Sequence, residues 1–216
     1  SKSIILTSSG LKNIIIKNYK EEEFRIINGE EEITIPRIYA EFLSPRISHM
    51  HRIDPTINQL DISELITTKA AKTKNSKTTK ILQNILNENT KQFINEIIEG
   101  KQANIEQQEE RKLRYLSVIL GNEELFKKLN KNTKKDENIT EIIEDIIFYE
   151  EISNTFIDIE KTKMIDKISE HFSSKDQQEI KNLPRTIFYM IINNDKFKRP
   201  EEEFLFDIIN EKFILV

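Results

Sequence analysis

Phe24-Arg25-Ile26-Ile27-Asn28-Gly29-Glu30-Glu31-Glu32-Ile33-Thr34-Ile35-Pro36 is the stretch that sets the fold class. Phe24 and Ile26 alternate with polar neighbours, Asn28-Gly29 suits the positive φ of a type I′ turn, and Ile33 and Ile35 alternate again, the pattern of a β-hairpin. Pro36 closes the second strand and is tolerated at a helix start, where its missing N–H costs nothing. Residues 37–50 read as helix, interrupted where Ser44-Pro45 removes a donor. Asp54-Pro55-Thr56 is a turn, and Leu60 and Ile62 alternate as a short third strand. Upstream of the hairpin, Leu11, Ile14 and Ile15 follow the Ser9-Gly10 start signal at helical spacing over 11–19.

Downstream the period is helical. Ile81, Leu82, Ile85 and Leu86 precede a break near 87–90, and Phe93, Ile94, Ile97 and Ile98 continue until Gly100 stops the helix. Residues 103–105 read as one short strand. A longer helix carries Leu113, Leu116 and Leu120 on one face and ends at Gly121, and Asn122 caps a short helix bearing Leu125, Phe126 and Leu129. Lys131 to Glu137 is polar throughout and reads as a linker. Everything after it reads as helix: Asn138 with Glu141 resembles a capping box, and Ile139, Ile142, Ile143, Ile146 and Ile147 follow the amphipathic template. Ile157, Met164, Ile165, Ile168 and Phe172 mark a second helix, and Ser174 with Gln177 opens a short third. Pro184 and Pro200 begin a fourth and a fifth.

The chain has 216 residues, 37% hydrophobic and 32% charged, with four Gly and no Cys or Trp. That excludes collagen-like, disulfide-stapled and low-hydrophobicity disordered classes and allows one or two domains. Its 39 Ile stand against two Val, so Ile marks an apolar position and little more. The net charge of −4 is uneven: residues 1–130 hold 20 Lys and Arg against 18 Asp and Glu, and residues 131–216 hold 13 against 19. Such a balance supplies no field that would draw the whole chain onto phosphate or an anionic bilayer. No segment approaches the ~20 apolar residues of a spanning helix, and no signal-peptide core precedes the hairpin. The expected address is the cytoplasm, with the nucleus as the alternative, and no membrane partner. A start at Ser1 and an apolar end at Phe213-Ile214-Leu215-Val216 suggest an excised fragment.

Chemistry-bearing patterns are sparse. His49 and His51, two apart in a helical reading, diverge rather than converge on a metal, and no CxxC or HExxH accompanies them. The Gly residues are isolated, so no phosphate-cradling loop exists, and no GxSxG elbow appears. The acidic triplets Glu21–Glu23, Glu30–Glu32 and Glu201–Glu203 each sit beside a turn or helix start, where solvation or the helix dipole accounts for them. Residues 67–80 hold five Lys, no acid and no large apolar side chain. They read as a solvated loop, or as a phosphate-binding run without an aromatic platform. Together these features argue against an enzyme and imply no catalytic residue, no cofactor and no metal.

The run Phe24 to Ile47, in which a hairpin precedes a helix ending at Ser44-Pro45-Arg46-Ile47, resembles the start of a BTB/POZ domain. Phe93 to Gly100 followed by Lys101 to Ile105 is similar to that family's helix, turn and short strand, and residues 113–129 to its closing helix pair. Ile168 to Phe172, Leu183-Pro184 and Glu201 to Phe204 resemble a BACK domain, the helical module that often follows BTB. Pro36-Arg37 stands where a His usually begins the BTB helix. The resemblance, to divergent protist-like members, implies an α+β chain with a BTB/POZ-like domain over 1–130 and an all-α BACK-like domain over 138–216. It implies a non-catalytic protein–protein interaction module, a dimerising scaffold or adaptor. The homodimer seam would run through Leu11, Ile14 and Ile15, which could equally cap the domain's own core. Two further readings are a substrate adaptor of a cullin-type ubiquitin ligase and a nucleic-acid binder using Lys69–Lys80, the latter disfavoured by the net negative charge of the chain.

Overall fold

The computed structural model describes residues 3–6, 22–65, 77–131, 138–152 and 155–213. The chain is mixed α+β and divides into two compact units, Ser1–Thr133 and Lys134–Val216.

In the first unit, β1 (Ser3–Leu6) precedes β2 (Glu23–Asn28) and β3 (Glu31–Pro36), then α1 (Arg37–Leu43), α2 (Pro45–Ile53), β4 (Gln59–Asp61) and a single turn α3 (Ile62–Leu65). After these come α4 (Lys77–Gln83), α5 (Glu88–Glu99), β5 (Ala103–Glu106), α6 (Gln107–Leu120) and α7 (Glu123–Asn130). One sheet has the order β3-β2-β4. The hairpin pairs Phe24 with Ile35 and Ile26 with Ile33, and β4 joins β2 in parallel with Leu60 opposite Ile26. Those five side chains are buried, whereas Arg25, Glu32 and Thr34 on the other face are exposed. Strand alternation therefore serves one covered face, as the period of two requires.

The hairpin turn is centred one residue later than the sequence suggests. Asn28 pairs with Glu31, so Gly29-Glu30 form the loop, and Gly29 at its first position has φ of +64°. A Cβ there would meet no atom within 4 Å, so backbone conformation and not crowding selects Gly. Asn28 is the last strand residue, and its Nδ2 donates to the Leu82 carbonyl at 2.9 Å, tying the hairpin tip to the end of α4. Ile62, read from sequence as part of the third strand, begins α3 instead.

The break between α1 and α2 lies against the break between α6 and α7, and each capping side chain serves both. Ser44 Oγ accepts the Ile47 N–H of its own helix at 3.1 Å and donates to the Leu120 carbonyl that ends α6 at 2.7 Å. Asn122 Oδ1 accepts the Leu125 N–H at 2.9 Å, and its Nδ2 donates to the Leu43 carbonyl that ends α1 at 2.9 Å. Each cap thus satisfies an orphan donor at one helix start and an orphan acceptor at another helix end. Arg46 Nε adds a bond to the Ile119 carbonyl at 2.6 Å. Gly121, at φ +72°, would place a Cβ 3.6 Å from the Arg46 backbone nitrogen. Its left-handed turn is what the junction requires.

The spacing of Leu113, Leu116 and Leu120 predicts a one-faced helix, but α6 is buried from Lys112 to Leu120 on every side. Leu113, Tyr115, Val118 and Ile119 are all within the core. It runs through the centre of the unit, touching β5, α2 and α7, and the buried Lys112 pairs with Glu109 at 2.5 Å.

The second unit is helical in its described residues: α8 (Ile139–Ile152), α9 (Asp158–Glu170), α10 (Gln177–Asn182), α11 (Arg185–Ile192) and α12 (Glu202–Phe213). Asn138 Oδ1 accepts the Thr140 N–H at the start of α8. Phe172, just after α9, is the hub of the core: its ring lies 6.2 Å from Phe188, 5.2 Å from Phe197 and 6.1 Å from Phe204. Lys212 on α12 is 8% exposed. Its Nζ donates to the Lys181 carbonyl at 2.6 Å and the Leu183 carbonyl at 2.5 Å, capping the end of α10 with a cation as the helix dipole favours.

Candidate interaction surfaces

Leu11, Ile14 and Ile15, the residues assigned to a dimer seam, lie outside the described residues, as do Lys69, Lys72 and Lys74 of the basic run. The end of that run is not loop. Lys77–Gln83 is helical, and Thr78, 2% exposed, meets the Tyr115 hydroxyl at 3.2 Å. With no large apolar residue before Ile81, the sequence hides this start; a threonine hydroxyl reaching a buried tyrosine anchors the turn.

The two neighbouring histidines separate. His49 is exposed, whereas His51 is buried against the sheet, its ring edge-on to Phe24 with centroids 5.2 Å apart. His51 Nε2–H donates to the Ile57 carbonyl at 2.9 Å, and Nδ1 lies 2.6 Å from Glu41 Oε1. A carbonyl can only accept, so Nε2 carries the proton. Glu41 also takes Arg37 Nε at 3.2 Å, and Arg37 continues to Glu22 at 3.0 Å and the Pro55 carbonyl at 2.7 Å. Every member of this chain is engaged in tying α1, α2 and the 54–58 turn together.

The described acidic residues are similarly dispersed. Glu22 pairs with Arg37, Glu32 lies 4.0 Å from Arg25, and Glu202 and Glu203 occupy the first turn of α12. In the second unit, Asp166 accepts from Lys196 Nζ at 2.7 Å and from Asn194 Nδ2 at 2.9 Å, bonds that hold its carboxyl below the ordinary aspartate range. Burial opposes the charge of Lys161, but Glu150 and Asp158, each at 3.1 Å, outweigh it and raise its pKa. Among the described residues no group of three His, Asp or Glu side chains could hold a metal ion, and no helix is long and apolar enough to cross a membrane.

Two other features are surfaces. The first is the ribbon of β1 and β5, antiparallel from Ser3 opposite Glu106 to Leu6 opposite Ala103. Among the described residues no third strand joins it. The sequence shows β1 only as the short apolar run Ile4 to Leu6. The second is apolar exposure: Phe42 (54%) and Ile53 (73%) in the first unit, and Ile159, Tyr189, Met190, Phe206 and Phe213 in the second. Four of these seven sit on α11 and α12, where the inward-facing period predicted the core side and left the outer side unread. No family model, no curated protein and no solved structure matches the chain.

Proposed function

We propose that this chain is a protein–protein interaction module of BTB–BACK type, a dimerising scaffold or adaptor with no catalytic role. The observation that carries the reading is the two-stranded β1–β5 ribbon. Among the described residues it is two strands wide, and an open edge is a template for another strand. A second copy of the chain offers the matching edge under a two-fold axis, where one patch meets itself. The amphipathic run Leu11, Ile14 and Ile15 follows β1 directly in sequence and would supply apolar area beside such a joint. The dispersal of carboxylates, histidines and lysines into caps and ion pairs favours a surface that binds over a cleft that reacts.

Light scattering on the full chain at tens of micromolar tests this. The expected mass is twice 25.6 kDa, and a clean monomer overturns the dimer. Replacing Ile14 and Ile15 by Asp is expected to split the dimer while circular dichroism and the melting temperature stay as in the parent.

A further inference from the structure

The core-facing side of α12 is Phe204, Leu205, Ile208 and Lys212. Its solvent-facing side carries Phe206, 64% exposed, and at the helix end Phe213, 41% exposed and partly packed inward. Seven residues separate them, two helical turns or about 10 Å on one face. Phe213 leans on Phe188 with ring centroids 6.1 Å apart, whereas Phe206 has no ring partner among the described residues. Glu202, Glu203 and Asp207 flank Phe206, all exposed, and none is in an ion pair among the described residues. The helix dipole explains acids in the first turn. It explains neither Asp207 nor an aromatic side chain held in water one turn further on.

The charge decides what could cover this face. A second copy of the same face would set acids against acids, and anionic lipid or nucleic acid would be repelled. The Lys-rich run 67–80 has the right sign but no large apolar side chain to cover Phe206. We propose that the outer face of α12, with Phe206 and Phe213 as apolar anchors and Glu202, Glu203 and Asp207 as an acidic rim, docks a basic amphipathic helix of a partner protein. Apolar residues at i, i+3, i+4 and i+7 of the incoming helix lie over the two rings, and its Lys or Arg residues reach the rim. This rests on the reading of the chain as an interaction module but uses residues other than those assigned to the dimer seam.

The test uses the full chain and a fluorescein-labelled amphipathic Lys/Leu helical peptide, read by fluorescence anisotropy. A Lys/Ser peptide lacking the anchors and a Glu/Leu peptide of opposite charge serve as controls. Saturable binding of the Lys/Leu peptide is expected, weakened about tenfold by Phe206→Ala and severalfold by Glu203→Lys with Asp207→Lys, at unchanged melting temperatures. The proposal is overturned by no binding, by a Phe206→Ala affinity within twofold of the parent, or by equal binding of either control peptide. Light scattering on the same samples keeps the two ideas apart. A Phe206-dependent peptide complex formed by a monomeric chain removes only the dimer, and a dimer indifferent to the peptide removes only this site. A Phe206→Ala chain that becomes monomeric makes the face a copy–copy contact and overturns the proposal.

Discussion

Asp166 shows how a single carboxylate fixes a connection. The segment between α11 and α12 returns to α9 through Lys196 and Asn194 on Asp166, through the Lys198 N–H on the Ser169 carbonyl at 2.9 Å, and through Phe197 stacked edge-on to Phe172. Because its partners favour the carboxylate, Asp166 titrates below its ordinary value in the folded chain. Its stabilising contribution is complete above the unfolded pKa, about 4, and is lost as pH falls through the depressed folded value. The same pair raises Lys196, whose contribution is lost only as pH rises through that raised value. Asp166→Asn is therefore expected to lower the melting temperature near neutral pH and to flatten its fall in acid; a superimposable acid limb would show the pair to be idle. The sequence contains Asp166 and Lys196 thirty residues apart, with no local pattern linking them. Nor does the motif Ser48-His49-Met50-His51-Arg52 say that only His51 is buried, since that depends on Glu41 and the Ile57 carbonyl arriving from either side.

Helix junctions carry the next level of organisation. Ser44-Pro45 and Gly121-Asn122 are legible as breaks from their residue types, because Pro removes a donor and Gly accepts the left-handed conformation. That the two breaks meet is not legible, since the hydrogen bonds joining them span 76 and 79 residues. Ser44→Ala and Asn122→Ala each remove a cap and leave a helix-end carbonyl unsatisfied, an expected loss of about 1–3 kcal/mol apiece in urea denaturation. The double variant is expected to differ from the sum of the singles by about 0.5 kcal/mol or more, because each cap serves the other's helix pair. Strict additivity would mean the junctions are independent. The one-residue shift of the hairpin turn has the same origin: Asn28 suits a turn locally, but its side chain is more useful on the Leu82 carbonyl. The all-round burial of α6 is likewise invisible in a sequence where Lys112 and Arg114 interrupt the apolar pattern.

For the molecule as a whole, two compact units and an uneven charge set what it can bind. The acidic half bears the exposed aromatic face, and the five-lysine run lies in the other half. The full chain at net −4 is expected to leave a labelled 20-base-pair duplex unbound in an anisotropy titration even at low salt. Binding that strengthens as salt falls would instead assign Lys69–Lys80 to phosphate contact, since released counterions drive such association. The ribbon of β1 and β5 joins segments about a hundred residues apart, so it exists only once the chain has folded.

The amino-acid order settles what depends on near neighbours. The strand alternation around Gly29, the breaks at Ser44-Pro45 and Gly121-Asn122, the helical periods after Asn138 and the scarcity of reactive groups can all be read from spacing and residue type. Backbone sterics and local hydrogen bonding act over a few residues, and they leave their mark in the pattern. Folding decides the rest: the parallel entry of β4 beside β2, the pairing of β1 with β5, the burial of His51 and Lys212, and the outward placement of Phe206. Each depends on groups far apart in the chain competing for the same buried volume or the same carbonyl, and a linear sequence does not record the outcome of that competition.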